Sequence, residues 1–492
     1  MKKWLILVSA AVALAALVML RQSGPDLEFT TRSPEAHALY EEGNLALFAL
    51  QWDKAQRSLE KAVELDPDFA MARAALAVAY NTWGHADEGA FQALIADSLA
   101  LLLPDENERL LVQARVAGFR DNPIARQDSL VTELAQRIPD NLLVLVLRAT
   151  IAERNGDRDQ AESLWRRVLE VNPNFAHAYN TLGYAAAYRG SYDEAIDLLQ
   201  KYTYLVPDLA NPHDSLGEIF TYVGRYPEAE AEFRKALALQ SDFYPSLVGL
   251  ATVFINEGRV AKGLQIMEKT GRLLQGSDVE QRFLFLASRL YQRVWMPEQL
   301  RDTSVRYIEL YPNDPYAASL QFFVAVLDGN LELAQALSDS IMAYRRQEMY
   351  PRLTEPAKMV YESVAYRHAA LIAYYADDLA AAATAWKTAL TLGAPLAPHE
   401  LMAIRTAYCR ALAALGRNQE ALDQASEILR TNPKVIKALL VKTESLLGLN
   451  KLAKAQEALI RLEEALARAD QDFPAVGRVA ELRQEIRTRL DS

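Results

Sequence analysis

The residues that come nearest to a chemical motif are His399-Glu400-Leu401-Met402-Ala403. In a zinc-protease helix, two histidines one turn apart hold the metal and the glutamate between them acts as base. Ala403 stands where the second histidine is required, so no zinc is expected here. His213 is followed by Asp214, the ingredients of a general base and its orienter. Neighbouring residues on a helix point roughly 100° apart and do not face one another, so this pair is expected to do no catalysis. Cys409 is the single cysteine, which leaves one thiol as a nucleophile candidate and excludes an internal disulfide. Acidic pairs such as Glu463 and Glu464 read as solvated helix faces. The chain has no Gly-x-x-x-x-Gly-Lys-Ser/Thr run, no strand-bounded Gly-x-Gly-x-x-Gly and no Gly-x-Ser-x-Gly elbow. No catalytic residue, no metal ligand and no cofactor is therefore expected, and the chain is read as a non-enzyme. Arg345, Arg346 and Arg352 form a basic segment that reads as a solvated linker.

The composition agrees with an interaction protein. Of 492 residues, 51% are apolar and 24% charged, which is globular composition. Lys plus Arg number 53 against 64 Asp plus Glu, a formal net charge of -11. Such a balance excludes a general nucleic-acid binder, whose affinity rests on cations that neutralise phosphates.

One period organises the body of the chain. Gly156, Gly190, Gly224 and Gly258 recur every 34 residues, as do Ala161, Ala195, Ala229 and Gly263, and Pro139, Pro173 and Pro207. Between them the apolar residues follow helical spacing, as in Ala195, Ile196, Leu198, Leu199 and Tyr202. Each unit therefore reads as two short helices joined by a tight turn. The small residues mark places where helices cross closely, the turn glycines end the first helix in a left-handed conformation, and the prolines separate units. Neither helix can bury its apolar face alone, so each unit needs neighbours.

These positions resemble the tetratricopeptide repeat. In the unit from Ala176 to Asp208 the resemblance is carried by Tyr179, Leu182, Gly183, Ala186, Gly190, Tyr192, Ala195, Leu199, Tyr202 and Pro207. Cys409 then occupies the small-residue position that Gly43 and Gly183 hold in their units, and reads as a packing residue. The resemblance covers about 36–470 and implies an all-α, right-handed superhelical solenoid of about twelve helix pairs. Val476, Val479, Leu482, Ile486 and Leu490 then form the apolar stripe of a C-terminal capping helix. The period breaks between Gly84 and Asn107, between Ser241 and Pro312, at Tyr344–Lys358, which fits no helix, and at Gly393–Pro398. A soft joint at Gly276 divides the array into 26–275 and a more irregular 276–492.

Residues 1–22 read as a membrane anchor or signal segment. Trp4 to Leu20 is an apolar run of seventeen residues, roughly 25 Å as a helix against a ~30 Å hydrocarbon core. Lys2 and Lys3 outweigh Arg21, which places the N-terminus in the cytoplasm and the body outside it. The expected location is a single pass in a bacterial inner membrane with the body in the periplasm. The alternative is a secreted or periplasmic body after cleavage near Ala13-Leu14-Ala15. The segments Thr30–Ala36 and Leu65–Ala70 look like the repeat regions of bacterial membrane-tethered signalling proteins, but only three residues precede the apolar run, so no output domain is expected.

In the family that the chain resembles, the first helices line a concave groove that takes a peptide or a helix. The corresponding polar-facing positions here are Asn180, Tyr184, Tyr188, Asp214, Glu218, Tyr222 and Asn256. Tyrosine gives contact area at low entropy cost, and the acids would repel a carboxylate and favour a basic or neutral peptide. The leading expectation is a membrane-anchored, extracytoplasmic scaffold for protein partners in an envelope complex. A permanent accessory subunit of a larger membrane enzyme, secretion or assembly machine is the alternative. A carbohydrate- or peptide-processing enzyme stands third and would need a site that no motif marks.

Overall fold

The computed structural model describes residues 27–48, 51–83, 85–119, 123–277, 279–394, 396 and 398–491. The apolar run Trp4–Leu20 lies outside them, and no helix of the described residues is long and apolar enough to cross a membrane. Among these residues there are twenty-five α-helices and no strand. They form twelve consecutive pairs, from Pro34–Phe48 with Trp52–Leu65 to Ile436–Gly448 with Leu452–Ala465, followed by a single helix Pro474–Leu490. The expected all-helical, tetratricopeptide-like array is thus present.

Local chemistry sets the helix ends. Asn141, Asp157, Asp314 and Asn330 each accept a hydrogen bond from a backbone N–H of the first turn. The turn glycines Gly156, Gly190, Gly224 and Gly258 have φ of 73–79°, the left-handed region that a side chain resists. In three other pairs that position is taken by Trp295, Asp377 or Asn450, with φ of 54°, 61° and 53°.

The segment at Tyr344 corrects an expectation. The helix Leu331–Tyr344 runs on through a π-helical turn, Arg345–Met349, and a 3-10 turn, Tyr350–Arg352; Leu353 and Thr354 are extended, and the 21-residue helix Glu355–Tyr375 follows. Proline is tolerated at the start of a helical turn, where its missing N–H has no partner to lose, and Pro351 and Pro356 both sit there. Arg346 is not a free linker cation, since its guanidinium grips both carboxylate oxygens of Glu362 at 2.8 and 2.7 Å. In the last helix Ala475, Val479, Leu482 and Ile486 are buried, but Leu490 is exposed and takes no part in the stripe.

The chain divides into two compact units, Met1–Ala185 with Lys201–Val206, and Ala186–Gln200 with Pro207–Ser492. Gly276 lies inside the second.

The first unit has a core of Phe69, Met71, Leu76, Leu111 and Leu134. Two carboxylates tie down its leading strand of coil. Asp66 accepts from Thr31 Oγ1 at 2.5 Å and from the Arg32 amide at 2.7 Å. Glu108, fully buried, accepts from the Thr30 amide and from its hydroxyl, both at 2.7 Å. Hydrogen bonds to a charged group are each worth about 1.5–3 kcal/mol net. Glu108→Ala is therefore expected to destabilise the first unit by about 2–3 kcal/mol. Limited proteolysis should then cut within residues 27–34 several-fold faster than in the parent chain, and unchanged cutting would refute the tie.

In the second unit the chain returns on itself. Asn432 Nδ2 donates to the Thr221 carbonyl at 3.3 Å and to the Tyr226 hydroxyl at 3.2 Å. The Asp470 amide donates to the Gly258 carbonyl at 3.0 Å, and Asp470 Oδ2 accepts from the Ala261 amide at 2.8 Å. Arg468 pairs with Glu257 at 3.2 Å. The last pairs therefore dock on the turns of the pairs at 210–274. Gly224 is doubly constrained, because besides its positive φ a Cβ there would stand 2.3 Å from Asn432 Oδ1.

Candidate functional site

Asn180 and Tyr184 belong to the first unit, and Tyr188, Asp214, Glu218, Tyr222 and Asn256 to the second. Asn180 Oδ1 is buried with no hydrogen-bond partner among the described residues, and Tyr184 is half-buried.

In the second unit the first helices Ala210–Tyr222 and Tyr244–Asn256 carry the other groups. Asp214 and Glu218 lie one turn apart, with Tyr222 one turn further on. Asp214 accepts from Ser246 Oγ at 2.7 Å. Burial pushes its carboxyl up to about 7, with the Ser246 bond opposing and the Glu218 charge adding to the rise. The Tyr222 hydroxyl donates to the Glu218 carboxylate. Tyr222 is not an open groove residue, because its ring is buried and stacked face to face with His399, centroids 3.8 Å apart and planes 7° from parallel. Tyr188 lies 6.0 Å from the same imidazole. The helix Pro398–Ala414 starts beside the end of Ala210–Tyr222, and this brings the two rings together.

Asn256 and Tyr222 both line a cavity of about 600 Å³ in the second unit. Its wall comes from the ends of the pairs at 210–274, from Arg293–Met296, from the first turns after His399, from Asn432–Lys437 and from Asp470–Pro474. Apolar side chains dominate, among them Ile255, Leu264, Met296, Met402, Ile436 and Phe473. The polar groups are mostly cationic or neutral. The Lys437 ammonium donates to the Val294 carbonyl at 2.5 Å, and burial followed by the nearby Arg410 charge brings it down to about 8. The His399 imidazole is brought down to about 3, by burial first and then by the charge of Arg293, and its Nδ1 has no partner among the described residues. It is neutral at pH 7, as its stacking on Tyr222 requires. A cavity of this size with convergent polar groups is the usual form of a small-ligand site.

Of the motifs that pointed to chemistry, His399 to Ala403 contributes to this cavity, and the others sit elsewhere or are structural. His213 Nδ1 bonds Glu232 Oε2 at 2.6 Å, on the neighbouring helix, and not Asp214. Cys409 is fully buried and donates to the Thr406 carbonyl, and burial pushes its thiol up to about 12. A thiol so held is a poor nucleophile. No group of three or more His, Cys, Asp or Glu residues is placed to hold a metal ion among the described residues. Sequence reasoning did not find Arg293, Trp295, Asn432, Lys437 or Asp470. The only signals near them were the irregular spacing before Pro312 and the absence of glycine at the turn after Val294.

Residues 40–98 and 146–210 match the family model of the tetratricopeptide repeat. Among solved structures, the chain is similar to one in the crystal structure of the APC/C hetero-tetramer Cut9-Hcn1, at 15% identity and a TM-score of 0.46, over 89% of this chain and 82% of that one. The chain thus carries tetratricopeptide repeats over those two stretches, and its remaining helices continue the paired arrangement.

Proposed function

We propose that this chain is a non-catalytic scaffold that holds protein partners, anchored through residues 4–20 to a bacterial inner membrane with its body outside the cytoplasm. Tetratricopeptide matches over 40–98 and 146–210 support the interaction role. The apolar run and the lysines before it support the anchor. The observation that carries the reading is the set of tyrosine, acidic and amide groups on the first helices of the second unit, where Tyr188 is half-buried beside the stacked pair of Tyr222 and His399. A peptide laid there would meet Tyr188 beside the stacked His399 and Tyr222.

The second reading, a permanent subunit of a larger assembly, is favoured by one feature of the first unit. Phe91 and Leu94 on the helix Ala86–Ala100, and Leu101 and Leu102 just after it, are 50–79% exposed. Their spacing puts them along one side. Contiguous exposed apolar side chains mark surfaces that another protein covers.

Cross-linking of the full-length chain in its native membrane, followed by mass spectrometry, tests both readings. Partner recovery that falls at least fivefold in a Tyr184→Ala/Tyr188→Ala double variant of unchanged melting temperature supports the groove. Recovery lost instead with Phe91→Ser/Leu102→Ser supports the permanent subunit. Recovery indifferent to both pairs of changes would reject both surfaces.

A further inference from the structure

We propose that the cavity of the second unit binds a small anionic amphiphile, with a carboxylate or phosphate head held by Arg293 and an apolar body packed along the wall opposite. The first ground is volume. Protein interiors are close-packed, and about 600 Å³ lined by Ile255, Leu264, Met402 and Phe473 is far more room than packing defects leave. Apolar walls of this kind are filled by an apolar occupant and not by ordered water, which needs several polar partners.

The second ground is charge. Some arginines of this unit are paired with carboxylates: Arg301 with Asp328, Arg306 with Glu280, Arg417 with Glu420. Arg293, at the solvent-exposed mouth of the cavity, has no carboxylate within ion-pair distance among the described residues, and its charge acts on Tyr222, Tyr226 and His399 around it. The Lys437 ammonium meets only a backbone carbonyl. The acid that lines the cavity most closely tied to the fold, Asp470, is engaged by the Ala261 amide, and Asp472 is exposed. The lining thus carries two cations, Arg293 and Lys437, and two acids, Asp470 and Asp472, and the two cations, free of ion pairs among the described residues, are what an anionic head group would meet.

The third ground is strain. Trp295, next to Arg293 and Val294, lines the cavity with φ of 54°. The corresponding turn in six other pairs uses glycine. A bulky residue held in the left-handed region is costly, and such outliers concentrate at ligand sites. Here the strained turn presents an indole to the cavity and the Val294 carbonyl to Lys437.

The test uses the full-length chain and a fluorescent carboxylate amphiphile, dansylamino-undecanoic acid. Saturable binding is expected, displaced by dodecanoate and by dodecyl phosphate, whose relative potency tells the two head groups apart. Dodecanol should displace at least about tenfold less well, since a hydrogen bond to a charged group is worth that factor or more. Arg293→Gln should weaken the probe by about tenfold or more through the head group. Ala403→Phe, which puts a ring into the cavity without touching a charge, should abolish binding through the body. Arg461→Gln, on an exposed helix face, should leave it unchanged. Melting temperatures check that each variant folds, and the two site variants act independently, so failure of one to fold leaves the other decisive. Probe binding that survives both site substitutions, as uptake by the run Trp4–Leu20 would, overturns the proposal. So does displacement by dodecanol as strong as by dodecanoate, or displacement only by an acidic peptide, which would assign the site to a protein segment.

Discussion

Phe233→Ala is expected to cost the second unit about 4–5 kcal/mol, the upper end for a buried phenylalanine. Phe233 is 1% exposed, and its ring fits between two helices that carry glycine at the contact. A Cβ on Gly249 would stand 2.4 Å from Cε1 and Cζ of the ring, and one on Gly217 would stand 2.9 Å from Cε1. Truncating the ring leaves a void that glycines cannot collapse into, so the cavity term is nearly undiminished. The reverse change, Gly249→Ala, forces the ring aside and should cost about 1–3 kcal/mol. The two changes share one contact, so the double variant should be less unstable than the sum of the singles. Repeat arrays unfold locally, and a single global free energy does not describe them. The measurement is therefore amide hydrogen exchange across 207–274, in which Phe233→Ala should raise exchange by several orders of magnitude. Exchange within tenfold of the parent would show that the ring does not hold these pairs together.

The second large effect is a loss of stability in mild acid from buried neutral histidines. His368 stacks on Phe322 with centroids 3.8 Å apart, and its Nδ1 lies 3.0 Å from Ser338 Oγ. Burial, then the charges of Arg367 and Arg345, brings the imidazole down from 6.5 to about 3. Above pH 6.5 both folded and unfolded chains hold it neutral, and the contribution is complete. As the pH falls below 6.5 the unfolded chain binds a proton that the folded chain refuses until about pH 3. The stability is lost across that window. Between pH 6.5 and 4 the loss is about 3 kcal/mol for each such group. His399, brought down to about 3 chiefly by burial as well, adds a second contribution of the same sign, while Asp214, pushed up to about 7, opposes them because the folded chain takes its proton before the unfolded one does. His368→Gln should remove its own share, about 3 kcal/mol between pH 6.5 and 4, read as the change in the urea midpoint of the second unit at pH 7, 5.5 and 4.5. Parallel pH slopes in the two proteins would show that His368 is not the group that titrates.

Periodicity read the paired helices well because it is a local property. The turn glycines have the left-handed φ that their spacing implied, and Cys409 has the buried position of a small packing residue. Proline was a less certain guide. The segment Tyr344–Lys358 was expected to fit no helix, whereas only Leu353 and Thr354 are extended, and Pro351 and Pro356 sit at the starts of helical turns on either side, where a proline has no N–H bond to lose.

By itself, then, the sequence determined the helix pairs, their turns and the small residues between them, since 34-residue spacing fixes contacts between neighbours. Only the tertiary structure decided what the inner surface of the second unit is. Asn432 meets Thr221 and Asp470 meets Gly258 across more than 200 residues. Nothing in a local period encodes contacts at that separation, because they depend on small rotations summed over six pairs. That closure buries Tyr222 under His399 and brings Tyr222, Asn256, Arg293 and Lys437 to one cavity.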